Sequence, residues 1–458
     1  MNKIDALLVG TPSPYPAMII AYKQQGMPPL GLGYIATYVQ KHGYVAKILD
    51  MARPDITYFD LYEILNNNEV KIVGFACTTE TFNVTIRLAK MVKEQYPEVV
   101  IVLGGPHVSF EYESALQYDV IDFVVINEGE LIFKELCDFV VQKKGTKHEI
   151  KGIAYSDDGR ILKTAPMPYI EDLDLLPIPD RKLFDNLQSY KIPATVSTSR
   201  GCPGKCIFCA ASTLSGGRYR MRSTKSIIEE FTYLKTMGFN QIYAVDDTMT
   251  ADMCRLENFL EELIARKLEV TWYCESRIDS ITKPILQKMK KAGAIALQFG
   301  VEAGTQGTLD SIKKNITISQ IRDVFNWCKD IGIRTMTNII IGLPSDNLMS
   351  LNETMKFAKE LSDMDAILSF SICTPFPGTP LWESPHKFGV EIVCNDLDCY
   401  TTSYPVIKTQ YLSAQEIRNE FCKAIYELGQ NVYGRIPSRI EDIQEFAKLL
   451  PHLRVRNQ

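Results

Sequence analysis

The stretch Ser199-Arg200-Gly201-Cys202-Pro203-Gly204-Lys205-Cys206-Ile207-Phe208-Cys209 carries the densest chemistry in the chain, three cysteines at C-x3-C-x2-C spacing. It follows a strand-like run, Ala194 to Thr198. Thiolates are soft ligands that suit zinc or an iron–sulfur cluster. A structural zinc ion takes four protein ligands, and no further His or Cys lies close enough in sequence to complete this set. Three thiolates on a four-iron cube leave one iron open to a small molecule. The competing readings are a zinc knuckle completed by a distant cysteine, and three unconnected thiols.

Outward from this loop, the 458 residues imply two or three domains with ample core. Hydrophobic residues at 46% and charged residues at 23% are ordinary for a soluble globular chain. The net charge of −5 gives no bulk attraction to nucleic acid or to an anionic membrane. The apolar run in Met1–Gly10 is too short for a signal peptide, and no stretch approaches the roughly 18 apolar residues of a membrane span. Twelve cysteines without an export signal point to a reducing, cytoplasmic setting.

Upstream, residues 1–149 alternate short apolar runs with amphipathic stretches. Ile4–Val9, Ala46–Leu49, Ile72–Ala76, Val99–Leu103 and Phe123–Ile126 read as buried strands. Leu30–His42, Leu61–Asn67, Thr81–Glu94 and Glu130–Lys143 carry helical spacing. This alternation predicts a doubly wound parallel sheet, with ligands at the carboxyl ends of the strands. Thr78-Thr79, Gly104-Gly105-Pro106-His107 and Glu128-Gly129-Glu130 fall at those ends. Residues 150–193 read as a β-hairpin with an Asp158-Gly159 turn, then a proline-rich linker laid across a domain surface through Leu173, Leu175, Leu176 and Ile178.

Downstream, residues 194–385 contain six strand–helix units, with strands near Thr195–Thr198, Gln241–Val245, Val270–Cys274, Ala296–Val301, Thr335–Ile341 and Ile367–Ile372. They predict a partial (β/α)6 barrel with its chemistry at the carboxyl ends. Asp246-Asp247, Arg277, Gly300-Val301-Glu302-Ala303-Gly304, Gly342-Leu343-Pro344 and Pro375 to Pro380 close successive strands. Residues 386–458 read as a mainly helical C-terminal segment, opened by a Ser413–Glu416 capping box. Cys373, Cys394 and Cys399 lack a further close cysteine and read as buried or loose thiols rather than a second cluster.

The cysteine loop, with Phe208 before the third cysteine, resembles the cluster loop of radical S-adenosylmethionine (SAM) enzymes. The resemblance implies a [4Fe–4S] cluster on Cys202, Cys206 and Cys209, whose open iron chelates SAM and whose electron cleaves it. It also implies SAM contacts at Phe208, Asp247, Arg277, Glu302 and Gly342. The alternative uses are a helix cap for Asp246 and an ordinary ion pair for Arg277.

The first 149 residues resemble the cobalamin-binding domain that precedes such barrels, through Pro28-Pro29-Leu30-Gly31-Leu32-Gly33-Tyr34, Gly104-Gly105-Pro106-His107 and Asn127-Glu128-Gly129-Glu130. The implied cobalamin contacts are Leu30, Gly31, Gly33, Thr78, Thr79, Gly104, Gly105, Pro106, His107, Glu128 and Gly129. An Asp-x-His-x-x-Gly motif is absent, so no histidine on cobalt is expected. A nucleotide-binding or vestigial sheet is the alternative, although G-x-G-x-x-G is missing.

Together the resemblances imply an enzyme that methylates an unactivated carbon through the 5′-deoxyadenosyl radical and methylcobalamin. A cyclase or other radical rearrangement enzyme would need the same two domains. A tRNA methylthiotransferase needs three N-terminal cysteines, whereas only Cys77 and Cys137 precede residue 202. A non-catalytic cobalamin or zinc sensor would not need the SAM-side motifs. Implied partners are a one-electron reductase such as flavodoxin or ferredoxin, and a substrate that is a peptide, natural-product precursor, lipid or sugar nucleotide; nucleic acid is not expected.

Overall fold

Val, Ile and Leu dominate the first unit's central strands because both faces are covered. In the strand Asn2–Gly10 (β1) every residue from Ile4 onward is buried. The computed structural model describes residues 2–14 and 26–428 and divides into two units, Met1–Pro193 and Ala194–Gln458.

The first unit continues with α1 (Leu30–Lys41), β2 (Ala46–Asp50), α2 (Tyr58–Asn67), β3 (Asn68–Ala76), α3 (Phe82–Gln95), β4 (Val100–Gly104), α4 (Pro106–Phe110), β5 (Phe123–Val125) and α5 (Gly129–Gln142). The strand order is β2-β1-β3-β4-β5, all parallel, so the connections reverse direction about β1 and β3. Register places Gly10 beside Ala76 and Ala76 beside Gly104, which gathers the loops after β1, β3 and β4 at one edge.

The hairpin forms as β6 (Ile153–Asp157) and β7 (Arg160–Lys163), joined through Asp158 and Gly159 at φ 48° and 77°. It extends the same sheet antiparallel to β5 rather than standing apart from it. The chain after it lies across this unit. Ile170, Leu173 and Leu176 cluster with Tyr34, while the Asp180 amide donates to Thr37 Oγ1 (2.8 Å) and Tyr190 Oη to Asp50 Oδ2 (2.9 Å). Leu175 departs from the expected packing: it is 74% exposed, because the 3-10 turn Leu173–Leu175 points it outward.

In the second unit six parallel strands run in chain order, β8 (Thr195–Val196), β11 (Gln241–Ala244), β12 (Thr271–Ser276), β13 (Ala294–Glu302), β14 (Arg334–Ile341) and β15 (Ile367–Ile372). β8 and β15 do not pair, so the barrel is partial. A short antiparallel pair, β9 (Ser199–Arg200) and β10 (Arg220–Met221), follows β8, with the one-turn helix Ala211–Leu214 between its strands. The long helices between the barrel strands are α6 (Thr224–Thr236), α7 (Met253–Arg266), α8 (Lys283–Lys291), α9 (Ile318–Ile331) and α10 (Leu348–Asp363). Each begins on a side-chain cap, from Ser223, Asp252, Thr282, Thr317 and Asn347 respectively.

Pleating decides which side chains face those helices. Trp272 packs on Phe259 of α7 and Phe299 on Phe325 of α9, with ring centroids 5.8 and 5.7 Å apart. Their alternates Tyr273, Glu275, Gln298 and Gly300 therefore face the opposite side, the barrel lumen. Beyond the barrel, β16 (Val390–Ile392) and β17 (Ile407–Thr409) form an antiparallel pair before α11 (Ala414–Leu428). The Ser413–Glu416 capping box starts α11: the Ser413 amide donates to Glu416 Oε2 (2.8 Å) and the Glu416 amide to Ser413 Oγ (3.2 Å). Residues 429–458 of the C-terminal segment lie outside the described residues.

Candidate functional site

Two acids hold the start of the cysteine loop, Asp246 buried and Asp247 beside it with its side chain more open. Asp246 accepts from the amides of Thr198 (2.6 Å) and Ser199 (3.0 Å) and from the Thr198 hydroxyl. It caps no helix; Asp252 caps α7. Arg255 completes this network, donating to Thr198 Oγ1 (2.9 Å) and to the Met249 carbonyl (2.7 Å). Asp247 accepts from the Gly201 amide at 3.1 Å. Burial raises both carboxyls above the ordinary range, while these hydrogen bonds oppose the shift. Gly201, at φ 92°, must be glycine: a Cβ would stand 2.1 Å from the Arg218 carbonyl oxygen.

At the other end the Ile207 amide donates to the Ile312 carbonyl (3.2 Å), and Ile207 accepts from the Leu381 amide (3.0 Å). Ile207 is buried, and Phe208 is half-buried beside it. Between these anchors the Gly204 amide donates to Cys202 Sγ at 3.4 Å. Burial raises the Cys206 thiol, against the lowering influence of the Lys314 and Arg277 charges. Protein packed around Cys209 pushes its thiol up to about 11, and Cys202 and Cys206 act on it electrostatically. The three sulfurs thus share one loop and sense one another.

Among the described residues no three His, Cys, Asp or Glu groups converge to hold a single metal ion. A cube takes one thiolate per iron, so its ligands stand further apart than those of a mononuclear site. Three soft donors on an anchored loop, flanked by Arg277 and Lys314, fit an anionic iron–sulfur cluster.

The charged SAM-side residues already have protein partners. Arg277 pairs with Asp279 through Nε–Oδ1 (2.9 Å) and Nη2–Oδ2 (2.8 Å) and donates to the Lys314 carbonyl (3.1 Å). Its Nη1 lies 2.8 Å from where a Cβ on Gly204 would be, so the guanidinium rests on the cysteine loop. Glu302 bonds Lys314 Nζ at 2.8 Å in a buried pair. Glu302 has φ 69° where β13 slips register against β14, a costly conformation for a side-chain-bearing residue. Gly342, at φ 82°, makes room for α11: a Cβ would meet Ile417 Cγ2 at 2.9 Å. Lys314, Arg255 and Thr198 were not legible as site residues, since none belongs to a motif. In the lumen, Tyr243 stacks on Tyr273 at 4.4 Å and donates to Glu275 Oε1 at 2.9 Å.

In the first unit the expected ligand loops meet at the carboxyl edge. Gly105 (φ 111°) approaches β3 so closely that a Cβ would lie 2.6 Å from the Cys77 carbonyl oxygen. Thr79 Oγ1 sits 3.2 Å from His107 Nδ1, and the His107 ring lies 4.7 Å from that of Phe82. His107 is buried, its Nε2 has no hydrogen-bond partner, and burial lowers its pKa to about 4.

Other candidates are committed to protein contacts. Glu128 Oε2 accepts from the Ile170 amide (2.8 Å), Gly33 adjoins Phe184, Gly129 adjoins Ile35, and Leu30 packs on the Tyr34 cluster. Thr78 is exposed, a Cβ on Gly31 would meet no heavy atom within 4 Å, and one on Gly104 would meet only Val125, at 3.8 Å. Open glycines beside a buried imidazole whose Nε2 is unpartnered fit a large, flat, polar ligand such as cobalamin.

Residues 17–137 match the B12 binding domain model and residues 196–358 the radical SAM superfamily model. An uncharacterized methyltransferase of Pyrococcus horikoshii is 34% identical over 423 residues, covering 91% of this chain and 90% of that protein. The anaerobic magnesium-protoporphyrin IX monomethyl ester cyclase of Rubrivivax gelatinosus is 30% identical, covering 85% and 71% respectively. The radical SAM methyltransferase TsrM of Kitasatospora setae, solved with cobalamin and a [4Fe–4S] cluster, shares the fold at a TM-score of 0.73. That likeness covers 96% of this chain and 92% of TsrM at 17% identity.

Proposed function

Because the chain belongs to the cobalamin-binding radical SAM enzymes, we propose that it methylates an unactivated carbon, using SAM both as methyl source and as radical source. The observation that carries the reading is the anchored three-thiol loop at the carboxyl ends of a six-stranded parallel barrel, in one chain with a cobalamin-type sheet. When bound, the cluster and cobalamin supply one-electron cleavage of SAM and a methyl carrier.

The protein's part is to hold, orient and exclude water. Cys202, Cys206 and Cys209 hold the cluster, and the Asp246–Thr198–Arg255 network keeps their loop in place. Asp247 and Glu302 offer carboxylates to the SAM ammonium and ribose, Arg277 offers positive charge to its carboxylate, and Phe208 and Gly342 flank it. Gly31, Thr78, Thr79 and the Gly104–His107 turn would border cobalamin, and Leu30, Gly33, Glu128 and Gly129, held by the protein contacts described above, would form the wall behind them. A small one-electron carrier, flavodoxin or ferredoxin, is the reductase we assign.

The Rubrivivax relative favours a second reading, a radical cyclisation without methyl transfer. One experiment separates them. Anaerobic, cobalamin-loaded protein is given reductant and SAM with a trideuterated methyl group. The methyltransferase reading expects one S-adenosylhomocysteine per cobalamin before any substrate is added, together with slow release of 5′-deoxyadenosine. Release of 5′-deoxyadenosine without S-adenosylhomocysteine moves the assignment to the cyclase. Replacing Cys202, Cys206 and Cys209 with Ala removes iron and the release of 5′-deoxyadenosine; four irons retained per chain would refute the ligand set.

A further inference from the structure

Cys394 and Cys399 stand apart from the cysteine loop, on the segment between β16 and β17. The strand pair pins the base of this segment: the Val393 amide donates to the Val406 carbonyl at 2.8 Å, and the Cys394 amide to the same oxygen at 3.3 Å. A 3-10 turn, Leu397–Cys399, then folds the chain back. Asp396 caps it by accepting from the Asp398 amide (3.1 Å), and the Cys399 amide donates to the Asp396 carbonyl (2.9 Å).

The next residue, Tyr400, is buried, and its hydroxyl donates to the Cys394 carbonyl at 3.1 Å. These bonds bring the Cys399 side chain within hydrogen-bonding reach of the Cys394 sulfur. Both cysteines are half-buried, so solvent reaches them. Cys373, the third cysteine nearby in sequence, is fully buried, with its amide bonded to the Ile341 carbonyl (2.9 Å). The arrangement is a pair.

We propose that Cys394 and Cys399 form a peroxide-reactive dithiol, a redox modification site that closes to a disulfide. Hydrogen peroxide is the oxidant. The sulfur of Cys394 attacks one peroxide oxygen; an S–O bond forms, the O–O bond breaks, and hydroxide leaves to become water on taking a proton. Cys399 then attacks the resulting sulfenic acid sulfur. The S–S bond forms, the S–O bond breaks, and the second oxygen departs as water with the remaining proton. Two thiols and one peroxide thus yield a disulfide and two waters, and a thiol reductant reverses the change.

The chemistry favours Cys394 as the attacking sulfur. The hydrogen bond from Cys399 lowers its pKa to about 6, against an upward push from burial. A lower pKa also weakens intrinsic nucleophilicity, so the signature is the pH midpoint of reactivity rather than its absolute rate. The location gives the pair a neighbour to act on. Tyr400 packs against Phe376 and Trp382, with centroids 6.5 and 5.9 Å away, and Thr402 accepts from the Ile372 amide (2.6 Å) at the end of β15.

The test uses the full chain with its cofactors, under anaerobic conditions. Iodoacetamide labelling is followed peptide by peptide, so oxidation of the cluster cysteines is scored separately. Cys394 alkylation should level off above about pH 7 in the parent protein. In Cys399→Ala its midpoint should rise by about two pH units. One equivalent of peroxide should convert the Cys394 and Cys399 peptides into one cross-linked species, reopened by dithiothreitol and absent from Cys394→Ser. An unchanged midpoint in Cys399→Ala, or two free peptides after peroxide, would overturn the proposal. The parent measurement requires no variant to fold.

Discussion

Gly105 and Gly31 are both assigned to the cobalamin site, yet alanine at the two positions should act in opposite directions on the empty protein. Gly105 sits at φ 111° and ψ 177°, a region that is essentially glycine-only and costs about 1–3 kcal/mol for any other residue. Its Cβ would also lie 2.6 Å from the Cys77 carbonyl oxygen and 2.9 Å from the Cys77 nitrogen, backbone atoms at the end of a central strand. Overpacking of this kind adds about 1–3 kcal/mol. We expect Gly105→Ala to destabilise the first unit by about 3 kcal/mol, lowering its melting temperature by about 6–12 °C at 2–4 °C per kcal/mol.

Gly31 lies in the first turn of α1 at an ordinary φ, with open space where its Cβ would go. Gly31→Ala should raise the melting temperature by about 1–2 °C, from roughly 0.5 kcal/mol of lost unfolded-state entropy. If cobalamin rests on this turn, the same methyl group should weaken its binding about tenfold, or 1.4 kcal/mol. The assays are circular-dichroism melting of the apoprotein and absorbance titration with cobalamin. A Gly105→Ala melt within 1 °C of the parent would refute the close approach to β3. Unchanged cobalamin affinity in Gly31→Ala would remove α1 from the site.

Two further predictions concern buried charge. Lys314→Met leaves Glu302 buried without its 2.8 Å partner, and should cost about 3–5 kcal/mol in denaturant unfolding and lower bound iron. Lys314→Met with Glu302→Gln should recover most of the stability; no recovery would deny the pair its role. His107 has a folded pKa of about 4 against an ordinary 6.5, so below pH 6.5 the unfolded chain takes a proton that the folded chain refuses. Its contribution is complete above pH 6.5 and is lost at about 1.4 kcal/mol per pH unit on falling towards pH 4, near 3 kcal/mol in all. Burial raises Glu80 to about 7, which gives the opposite slope over much of that window. The readout is therefore the difference between the parent and His107→Asn as pH falls; a difference independent of pH would refute the buried, neutral imidazole.

The cysteine spacing, the alternation of apolar strands with amphipathic helices, and the glycine turns were readable from the amino-acid order alone, because each is a local pattern. Strand and helix periods are set by backbone geometry over a few residues, and a ligand loop keeps its donors adjacent in sequence. Hence the five parallel strands of the first sheet, all six barrel strands and the loop at Cys202–Cys209 were legible before any coordinates, whereas the joining of the hairpin to that first sheet was not. The partners of each site residue were not. Asp246 and Asp247 stand 46 to 48 residues from the amides they bind, and Lys314 reaches Glu302 across a bulge that only the register of β13 on β14 creates. For Gly342, the packing of α11 supplied a demand for a missing side chain that the local pattern could not, since a Cβ there would meet Ile417. The thiol pair at Cys394 and Cys399 read as loose cysteines until the capped turn brought their side chains together. Sequence determines what chemistry each residue carries; which residues share a field, a hydrogen bond or a van der Waals boundary depends on long-range closure of the chain, which no local period encodes.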